Sequence, residues 1–212
     1  MFIVIEGLDG SGTTTQVDRL QQRLAPRPCV TTFEPSSGPI GTMIRQALRR
    51  RLTLPGGEAL DHRSLALLFA ADRVAHLRAV VEPALAQEKI VISDRYVHSS
   101  LAYQGATLDP RWIDAINAQA RIADLVIWLE VPGEICAARI KTRGDAPELF
   151  ETESILRQVD ARYRDAMRLR PERVVRVDGT GTPEEVSARI WARVATSLED
   201  AALEDASPAA DA

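Results

Sequence analysis

Five short apolar runs recur along the chain, separated by longer stretches with helical periodicity. The runs are FIVIE at 2–6, CVTTF at 29–33, KIVIS at 89–93, DLVIWLEV at 124–131 and RVVRVD at 173–178. They are almost continuously apolar, which is typical of strands covered on both faces of a sheet. Helices are predicted at 13–25, 40–50, 61–86, 98–121 with a break at Pro110, 132–142, 151–169 and 182–197. This alternation predicts an α/β fold with a doubly wound, mainly five-stranded parallel sheet flanked by helices.

The predicted helix at 61–86 carries one apolar stripe and one unusual pair. At about 100° per residue, six side chains share a face that we expect to pack in the core: Leu67, Ala70, Val74, Leu77, Val81 and Leu85. Phe69 and Arg73 are four residues apart and share a different face. A ring beside a guanidinium is either a shelf for a substrate or a cation–π packing pair, and the spacing alone favours the packing pair.

Composition is that of one globular domain with a distinct end. The 212 residues are 45% hydrophobic and 26% charged, enough for one substantial core. The net charge is -4, and five acids fall in the last fourteen residues. The rest is nearly neutral, which argues against bulk attraction to nucleic acid or an anionic membrane. We predict a single domain over 1–198 and an acidic, disordered tail over 199–212, which is made mostly of Ala, acids, Ser and Pro.

The two cysteines and the N-terminus bear on the compartment. Cys29 and Cys136 each lie in an apolar run, far apart in sequence, as expected of reduced core thiols. The first apolar run has no basic start and no small-residue cleavage site, and no segment approaches the length of a membrane span. We expect a soluble, cytoplasmic protein.

The first chemical motif is GLDGSGTTTQ, Gly7 to Gln16, between a strand and a helix. It matches the phosphate-binding pattern G-x-x-x-x-G-K-[ST] except that Thr13 replaces the lysine. Backbone N–H groups and a helix N-terminus can hold phosphate oxygens without that side chain. We therefore predict phosphate binding by Gly7, Leu8, Asp9, Gly10, Ser11, Gly12, Thr13, Thr14 and Thr15. Thr14 occupies the position of a Mg²⁺-binding hydroxyl and Asp9 adds a carboxylate, while a purely structural turn is the alternative.

A second polar cluster follows the third predicted strand in KIVISDRYVHSSLAYQGA, 89–106. Asp94 leaves the carboxyl end of a buried strand, where open α/β sheets bind ligands, and is suited to hold a metal or its water. Arg95 can offer two donors to a phosphate. Hydrogen-bonding side chains follow at Ser99, Ser100, Tyr103 and Gln104. The alternative for Asp94 and Arg95 is a helix cap with a surface ion pair.

A third cluster, AARIKTRGDAPELFE at 137–151, is rich in cations. Arg139, Lys141 and Arg143 end a predicted helix and precede a Gly-Asp-Ala-Pro segment. A basic loop over ATP would supply positive charge to a transferring phosphoryl group. Taken alone, the cluster is better explained as a solvated helix end, where cations are common.

Together these segments resemble the thymidylate kinase family, from Met1 to about Leu198. The likeness rests on IEGLDGSG, on FEPSSGPIG at 33–41, on LLFAADR at 67–73, on SDRYVHSSLAYQG at 93–105 and on ADLVIWLEVP. It implies a P-loop nucleoside monophosphate kinase fold with a short lid at about 139–152. It also implies phosphorylation of dTMP to dTDP with MgATP in dTTP synthesis, by a homodimer without a nucleic-acid or membrane partner.

The resemblance also implies residue roles. Phe69 would stack on thymine, Arg73 would contact the base, and Arg95 would hold the acceptor phosphate. Ser99, Ser100 and Gln104 would flank the base edge, Tyr103 would crowd the 2′ position, and Glu34 would help to position the acceptor. The implied metal ligands are Thr14, Asp94 and Asp9, the implied catalytic residues are Asp9, Asp94, Arg95, Arg139 and Arg143, and Gly179 to Thr182 would lie beside adenine.

Three positions depart from the family pattern. Thr13 replaces the loop lysine, Phe33 stands where many members have arginine, and Leu149 stands where many have a lid arginine. We expect an active kinase in which Mg²⁺ and Arg143 take over the lysine's role. The alternatives are a catalytically silent nucleotide-binding or regulatory protein on the same scaffold, and a kinase for a related acceptor such as dUMP or a deoxynucleoside.

Overall fold

A five-stranded parallel sheet forms the centre of the molecule. The computed structural model describes residues 1–25, 27–143, 153–170 and 172–206. The strands are β1 Phe2–Gly7, β2 Cys29–Phe33, β3 Ile90–Asp94, β4 Leu125–Glu130 and β5 Val174–Asp178, in the order β2-β3-β1-β4-β5. All neighbours pair in parallel. The predicted α/β class and parallel sheet are confirmed, and each strand end lies within one residue of its predicted position.

The strands are continuously apolar because both faces of the sheet are covered. Alternate residues of a strand point to opposite faces. Phe2 and Val4 of β1 join one core cluster, whereas Ile3 and Ile5 join the other. All four are fully buried. This arrangement explains why these strands show no alternation of apolar and polar residues.

Helices flank the sheet on both sides. They are α1 Thr13–Leu24, α2 Pro39–Leu48, α3 His62–His76, α4 Glu82–Leu85, α5 Val97–Tyr103, α6 Pro110–Ile116, α7 Gly133–Arg143, α8 Glu153–Leu169 and α9 Pro183–Ala206, with a π-helical stretch Leu77–Val81 and a 3₁₀ turn Gln104–Ala106. No helix within the described ranges is long and apolar enough to cross a membrane.

The predicted apolar stripe at 61–86 was wrong in part. Ala70, Leu77 and Val81 are buried, but Leu67 and Val74 are each 51% exposed. The prediction assumed one uniform helix, whereas the π-helical stretch between α3 and α4 changes the number of residues per turn. Residues before and after that stretch therefore do not continue a single stripe.

Two other predicted helix boundaries changed. The predicted break at Pro110 within 98–121 is confirmed, because α6 begins at Pro110 and is capped by Asp109, but α6 ends at Ile116 instead of 121. The last helix continues to Ala206 instead of ending at 197, and Asp200 within it pairs with Arg173 at 3.1 Å. Residues 199–206 of the predicted tail are thus helical, and 207–212 lie outside the described residues. Most of the predicted lid, 144–152, also lies outside them.

Candidate active site

The glycine loop forms a tight turn between β1 and α1. Gly10 and Gly12 have φ values of 83° and 97°, a region that favours glycine. A Cβ on Gly10 would lie 2.6 Å from the carbonyl oxygen of Cys136. Gly12 is the N-cap of α1, so the loop amides and the positive end of the helix face the same edge of the sheet. This is the geometry that holds phosphate groups.

A hydroxyl and a carboxylate meet beside this loop. Ile5 of β1 pairs with Asp94 of β3, which brings the ends of these strands together. Thr14 donates its hydroxyl to Oδ2 of Asp94 at 2.5 Å. Oδ1 of Asp94 is buried and has no hydrogen-bond partner among the described residues. Oxygen ligands of this kind suit Mg²⁺, and the free carboxylate oxygen leaves capacity for an ion or its water.

Asp9, also predicted as a metal ligand, is bonded to other residues. Its Oδ1 accepts from Nη2 of Arg95 at 2.6 Å, and its Oδ2 accepts from the hydroxyl of Tyr103 at 2.9 Å. The backbone N–H of Asp9 in turn donates to that hydroxyl at 2.9 Å. Both carboxylate oxygens are therefore occupied on the side of the loop that faces Arg95.

Arg95 contacts the glycine loop and also lines a neighbouring cavity. Its Nη1 donates to the carbonyl of Gly7 at 2.7 Å and to Ser99 Oγ at 3.1 Å. Its φ is 70°, an unfavourable value for a residue with a side chain. Burial lowers the pKa of Arg95, but the charges of Asp9 and other neighbours outweigh burial and raise it well above its ordinary value. The guanidinium is therefore a fixed positive charge.

A buried ion pair holds Arg73. The guanidinium donates to Glu34 from Nε at 2.9 Å and forms an ion pair through Nη2 at 2.8 Å. Further bonds reach Ser100 Oγ at 3.0 Å and the side chain of Asn117. The other oxygen of Glu34 is 3.2 Å from Nδ1 of His76. Glu34, a predicted acceptor-positioning residue, therefore has both oxygens engaged in holding Arg73 and His76.

A cavity of about 130 Å³ opens between these groups. It is lined by Asp9, Glu34, Pro35, Leu48, Phe69, Arg73, Arg95, Tyr96, Ser99, Ser100, Tyr103 and Gln104. Gln104 is buried, and its Oε1 has no hydrogen-bond partner among the described residues. The cavity lining thus combines an aromatic ring, hydrogen-bonding groups and a fixed cation.

Arg139 of α7 reaches the other side of the loop. Nη1 of Arg139 lies 3.4 Å from the carbonyl of Gly10 and 3.2 Å from that of Ser11. Its Nη2 lies 3.5 Å from the carbonyl of Gly179. Arg139 therefore bridges the glycine loop and the turn after β5. Arg143 is the last residue of α7, and its side chain lies outside the described residues.

The eight residues predicted to bind the acceptor all line the one cavity, but the hydroxyl of Ser99 has a different environment from the one predicted. It bonds Glu6 Oε2 at 2.6 Å, deep in the protein. Sequence reasoning missed Glu6 and Tyr163, which are fully buried around Arg95. A signal for Glu6 was present, because a carboxylate inside a continuously apolar strand needs buried partners. Nothing in the local sequence of Tyr163 identifies its contacts.

Comparison with known proteins agrees with this geometry. A family model described as thymidylate kinase matches residues 5–190. A "Probable thymidylate kinase" of Pyrobaculum aerophilum is 42% identical over 190 residues, covering 89% of this chain and 93% of the relative. One of Methanospirillum hungatei is 42% identical over 193 residues, covering 88% and 89%. A "Thymidylate kinase" of Syntrophotalea carbinolica is 38% identical over 211 residues, covering 93% and 96%.

Proposed function

Because the chain belongs to the thymidylate kinase family, we propose that it transfers the γ-phosphoryl group of ATP to dTMP and releases dTDP and ADP. An oxygen of the dTMP phosphate attacks the γ-phosphorus, and the bond to the β,γ-bridging oxygen breaks. The observation that carries the proposal is Arg95. It bonds the carbonyl of Gly7 in the donor loop at 2.7 Å and lines the acceptor cavity. One fixed cation would therefore lie between the two proposed phosphate sites.

On the donor side, the loop from Gly7 to Thr15 would hold the ATP phosphates through its amides and the N-terminus of α1. Mg²⁺ would be held by the hydroxyl of Thr14 and the carboxylate of Asp94, directly or through water. We leave Asp9 out of this metal set because Arg95 and Tyr103 occupy its oxygens. When bound, the ion neutralises charge on the phosphate oxygens of ATP.

On the acceptor side, the ring of Phe69 would stack on thymine, and Arg73 would contact the base edge. Ser100, which accepts from Arg73 at 3.0 Å, and Gln104, with its unpaired oxygen, would complete that edge. Arg95 would bind the phosphate. Burial raises the pKa of Tyr103 well above its usual value. Its neutral hydroxyl would hold Asp9 and occupy the space beside the 2′ carbon of the sugar.

The missing lysine is the main test of the donor side. Thr13 is buried at the start of α1 and carries no charge. We propose that Arg139, which contacts the loop carbonyls, fixes α7 over the loop, and that Arg143, one turn further along α7, supplies the cation together with Mg²⁺. Phosphoryl transfer depends mainly on alignment and on positive charge around the migrating group. Arg143→Ala should then lower kcat by about 100-fold, the effect of removing one fixed donor.

A coupled assay that follows ADP formation with ATP, Mg²⁺ and dTMP tests the function directly. Turnover that requires dTMP and is lost in Asp94→Ala supports the kinase, whereas a purified protein that binds ATP without turnover contradicts it. Runs with dUMP or thymidine in place of dTMP test the acceptor. The matched control for Arg143→Ala is Arg193→Ala on the exposed face of α9. Equal activities of the two variants would show that Arg143 is not the compensating cation.

We include a homodimer and a cytoplasmic location in the proposal. Leu67 and Val74 on α3 are each 51% exposed, and Ala71 and Ala75 lie on the same exposed side. An apolar face of this kind is typical of an interface with another protein, and a second copy of the chain would cover it. Light scattering of the wild type and of Leu67→Lys tests the dimer, with a monomeric wild type as the contrary result. Fractionation of cells expressing the tagged chain tests the location.

A further inference from the structure

Tyr163 lies on α8 and reaches the centre of the proposed site from behind. Its side chain is fully buried. Its hydroxyl lies 2.9 Å from the carbonyl oxygen of Gly7 and 3.2 Å from Oε2 of Glu6. It also lies 2.9 Å from Ser99 Oγ and 3.2 Å from Nη1 of Arg95. One hydroxyl on α8 is therefore in contact with polar groups of β1, of α5 and of the loop after β3.

Chemistry limits which groups around the Tyr163 hydroxyl can donate a hydrogen bond and which can accept one. A hydroxyl has one proton to give and two lone pairs to accept with. Burial, together with the charge of Glu6, raises the pKa of Tyr163 well above its ordinary value, so the hydroxyl keeps its proton. It can donate to Gly7 or Glu6 and accept from Arg95, whose guanidinium cannot accept.

The hydrogen bonds of this network engage one nitrogen of the Arg95 guanidinium, Nη1. Nη1 carries two protons, and its partners are Gly7, Ser99 and Tyr163. Nη2 bonds Asp9. Nη1 thus has more acceptors within reach than protons, and these contacts together limit the orientation of the guanidinium.

The backbone conformation of Arg95 also requires support from neighbouring residues. A φ of 70° is unfavourable for a residue with a side chain, and it persists only where surrounding contacts enforce it. The backbone N–H of Arg95 bonds the carbonyl of Ile5 at 2.9 Å, which holds the main chain. The side chain is held by the network that includes Tyr163.

We propose that Tyr163, acting with Ser99 and Glu6, is a positioning residue that orients the Arg95 guanidinium toward the phosphate of the acceptor. This inference rests on the proposed function, because it assigns the acceptor phosphate to Arg95. Its effect is selective: loss of the Tyr163 hydroxyl, which also bonds the carbonyl of Gly7, weakens recognition of a phosphate in the acceptor cavity more than it weakens the nucleoside contacts or ATP binding.

Tyr163→Phe removes the hydroxyl and keeps the ring. The dissociation constant of dTMP, measured by calorimetry, should rise about fivefold to tenfold, as expected for a weakened hydrogen bond to a charged group. That of thymidine, which has no phosphate, should stay within about twofold. In the kinase assay the KM for dTMP should rise more than the KM for ATP.

Val159→Ala is the matched control, since Val159 lies one turn earlier on α8 and is fully buried without a polar contact to Arg95. It should loosen the packing of α8 and leave the ratio of dTMP to thymidine affinity at its wild-type value. An equal loss of dTMP and thymidine affinity in Tyr163→Phe, or the same change in Val159→Ala, would overturn the proposal.

The binding comparison needs no turnover, so it separates the two claims. A wild-type chain that binds dTMP more tightly than thymidine but forms no ADP would refute the kinase function and leave the role of Tyr163 open to the same affinity test. If Tyr163→Phe does not fold, Glu6→Gln weakens the same network from its other end. It should produce the same selective loss of dTMP affinity, and an unchanged ratio would overturn the proposal.

Discussion

Replacing His98 by leucine should change how the free energy of unfolding depends on pH. His98 on α5 is fully buried, and neither ring nitrogen has a hydrogen-bond partner among the described residues. Burial lowers its pKa from 6.5 to about 4; nearby acids oppose this shift and nearby arginines reinforce it, each to a smaller extent. Below pH 6.5 His98 binds a proton in the unfolded chain, whereas in the folded protein it binds one only below about pH 4. The stability from His98 is therefore lost as the pH falls through this window.

Glu6 has the opposite effect on stability. Its burial raises its pKa from 4.5 to about 7. Between these values the folded protein holds a proton that the unfolded chain has released. The stability from protonated Glu6 is present below pH 4.5 and is lost as the pH rises through 7. The two groups therefore oppose each other between about pH 4.5 and 6.5.

The two effects are similar in size. Between pH 7 and pH 5 the shift of His98 amounts to about 2 kcal/mol of lost stability, and that of Glu6 to about 2 kcal/mol of gained stability, by the linkage relation. In the wild type these contributions nearly cancel. Relative to the wild type, His98→Leu should therefore gain about 2 kcal/mol on going from pH 7 to pH 5, and Glu6→Gln should lose about 2 kcal/mol.

Urea unfolding at pH 7 and pH 5 measures these differences, followed by tryptophan fluorescence. The wild type, both single variants and the double variant form a complete cycle, and the double variant should return to the wild-type pH dependence. The readout is the change with pH, so a general loss of stability in any variant does not affect it. A pH dependence of His98→Leu identical to that of the wild type would refute the assignment of the acid-sensitive group to His98.

Three further changes test other parts of the site. Glu34→Ala leaves Arg73 buried without its carboxylate and should cost about 3–5 kcal/mol in urea unfolding; exposed Glu184→Ala is the control, and equal losses would contradict a buried pair. Gly10→Ala must adopt a φ of 83° and place its Cβ 2.6 Å from a carbonyl oxygen, so the KM for ATP should rise more than that for dTMP in steady-state kinetics. Thr13→Lys should change kcat by less than about threefold if another cation already serves the transition state, and a larger gain would mean that the natural loop is impaired.

The strands of the sheet could be predicted because their apolar character is visible in short segments of the sequence. A parallel strand covered on both faces must be apolar at nearly every position, so β1, β3 and β4 appear in the sequence as continuous runs. The exposed positions of α3 could not be predicted in the same way. Leu67 and Val74 are apolar and yet exposed, because the π-helical stretch after His76 shifts the phase of the helix and because apolar residues are not restricted to the interior.

Site residues could be predicted where a short sequence motif specifies their conformation or chemistry. Gly10 and Gly12 need positive φ, and Asp94 must follow a buried strand, so these positions are constrained by their own neighbours in sequence. Glu6 and Tyr163 are constrained by partners instead. They are 157 residues apart, and the bond between their side chains depends on how α8 packs against α5. No local pattern specifies such a pair.

This difference also explains why Thr13 is a weaker argument against activity than the sequence motif suggests. In the proposed function the loop binds through its backbone, which Gly10 and Gly12 shape, and Arg95 binds the acceptor; its guanidinium is held by Asp9 and by a buried network that includes Tyr163. Losing the lysine removes one charge from this arrangement and leaves its geometry intact. Phosphoryl transfer then needs positive charge from another residue. Helix α7, which Arg139 fixes to the loop, is the element best placed to supply it.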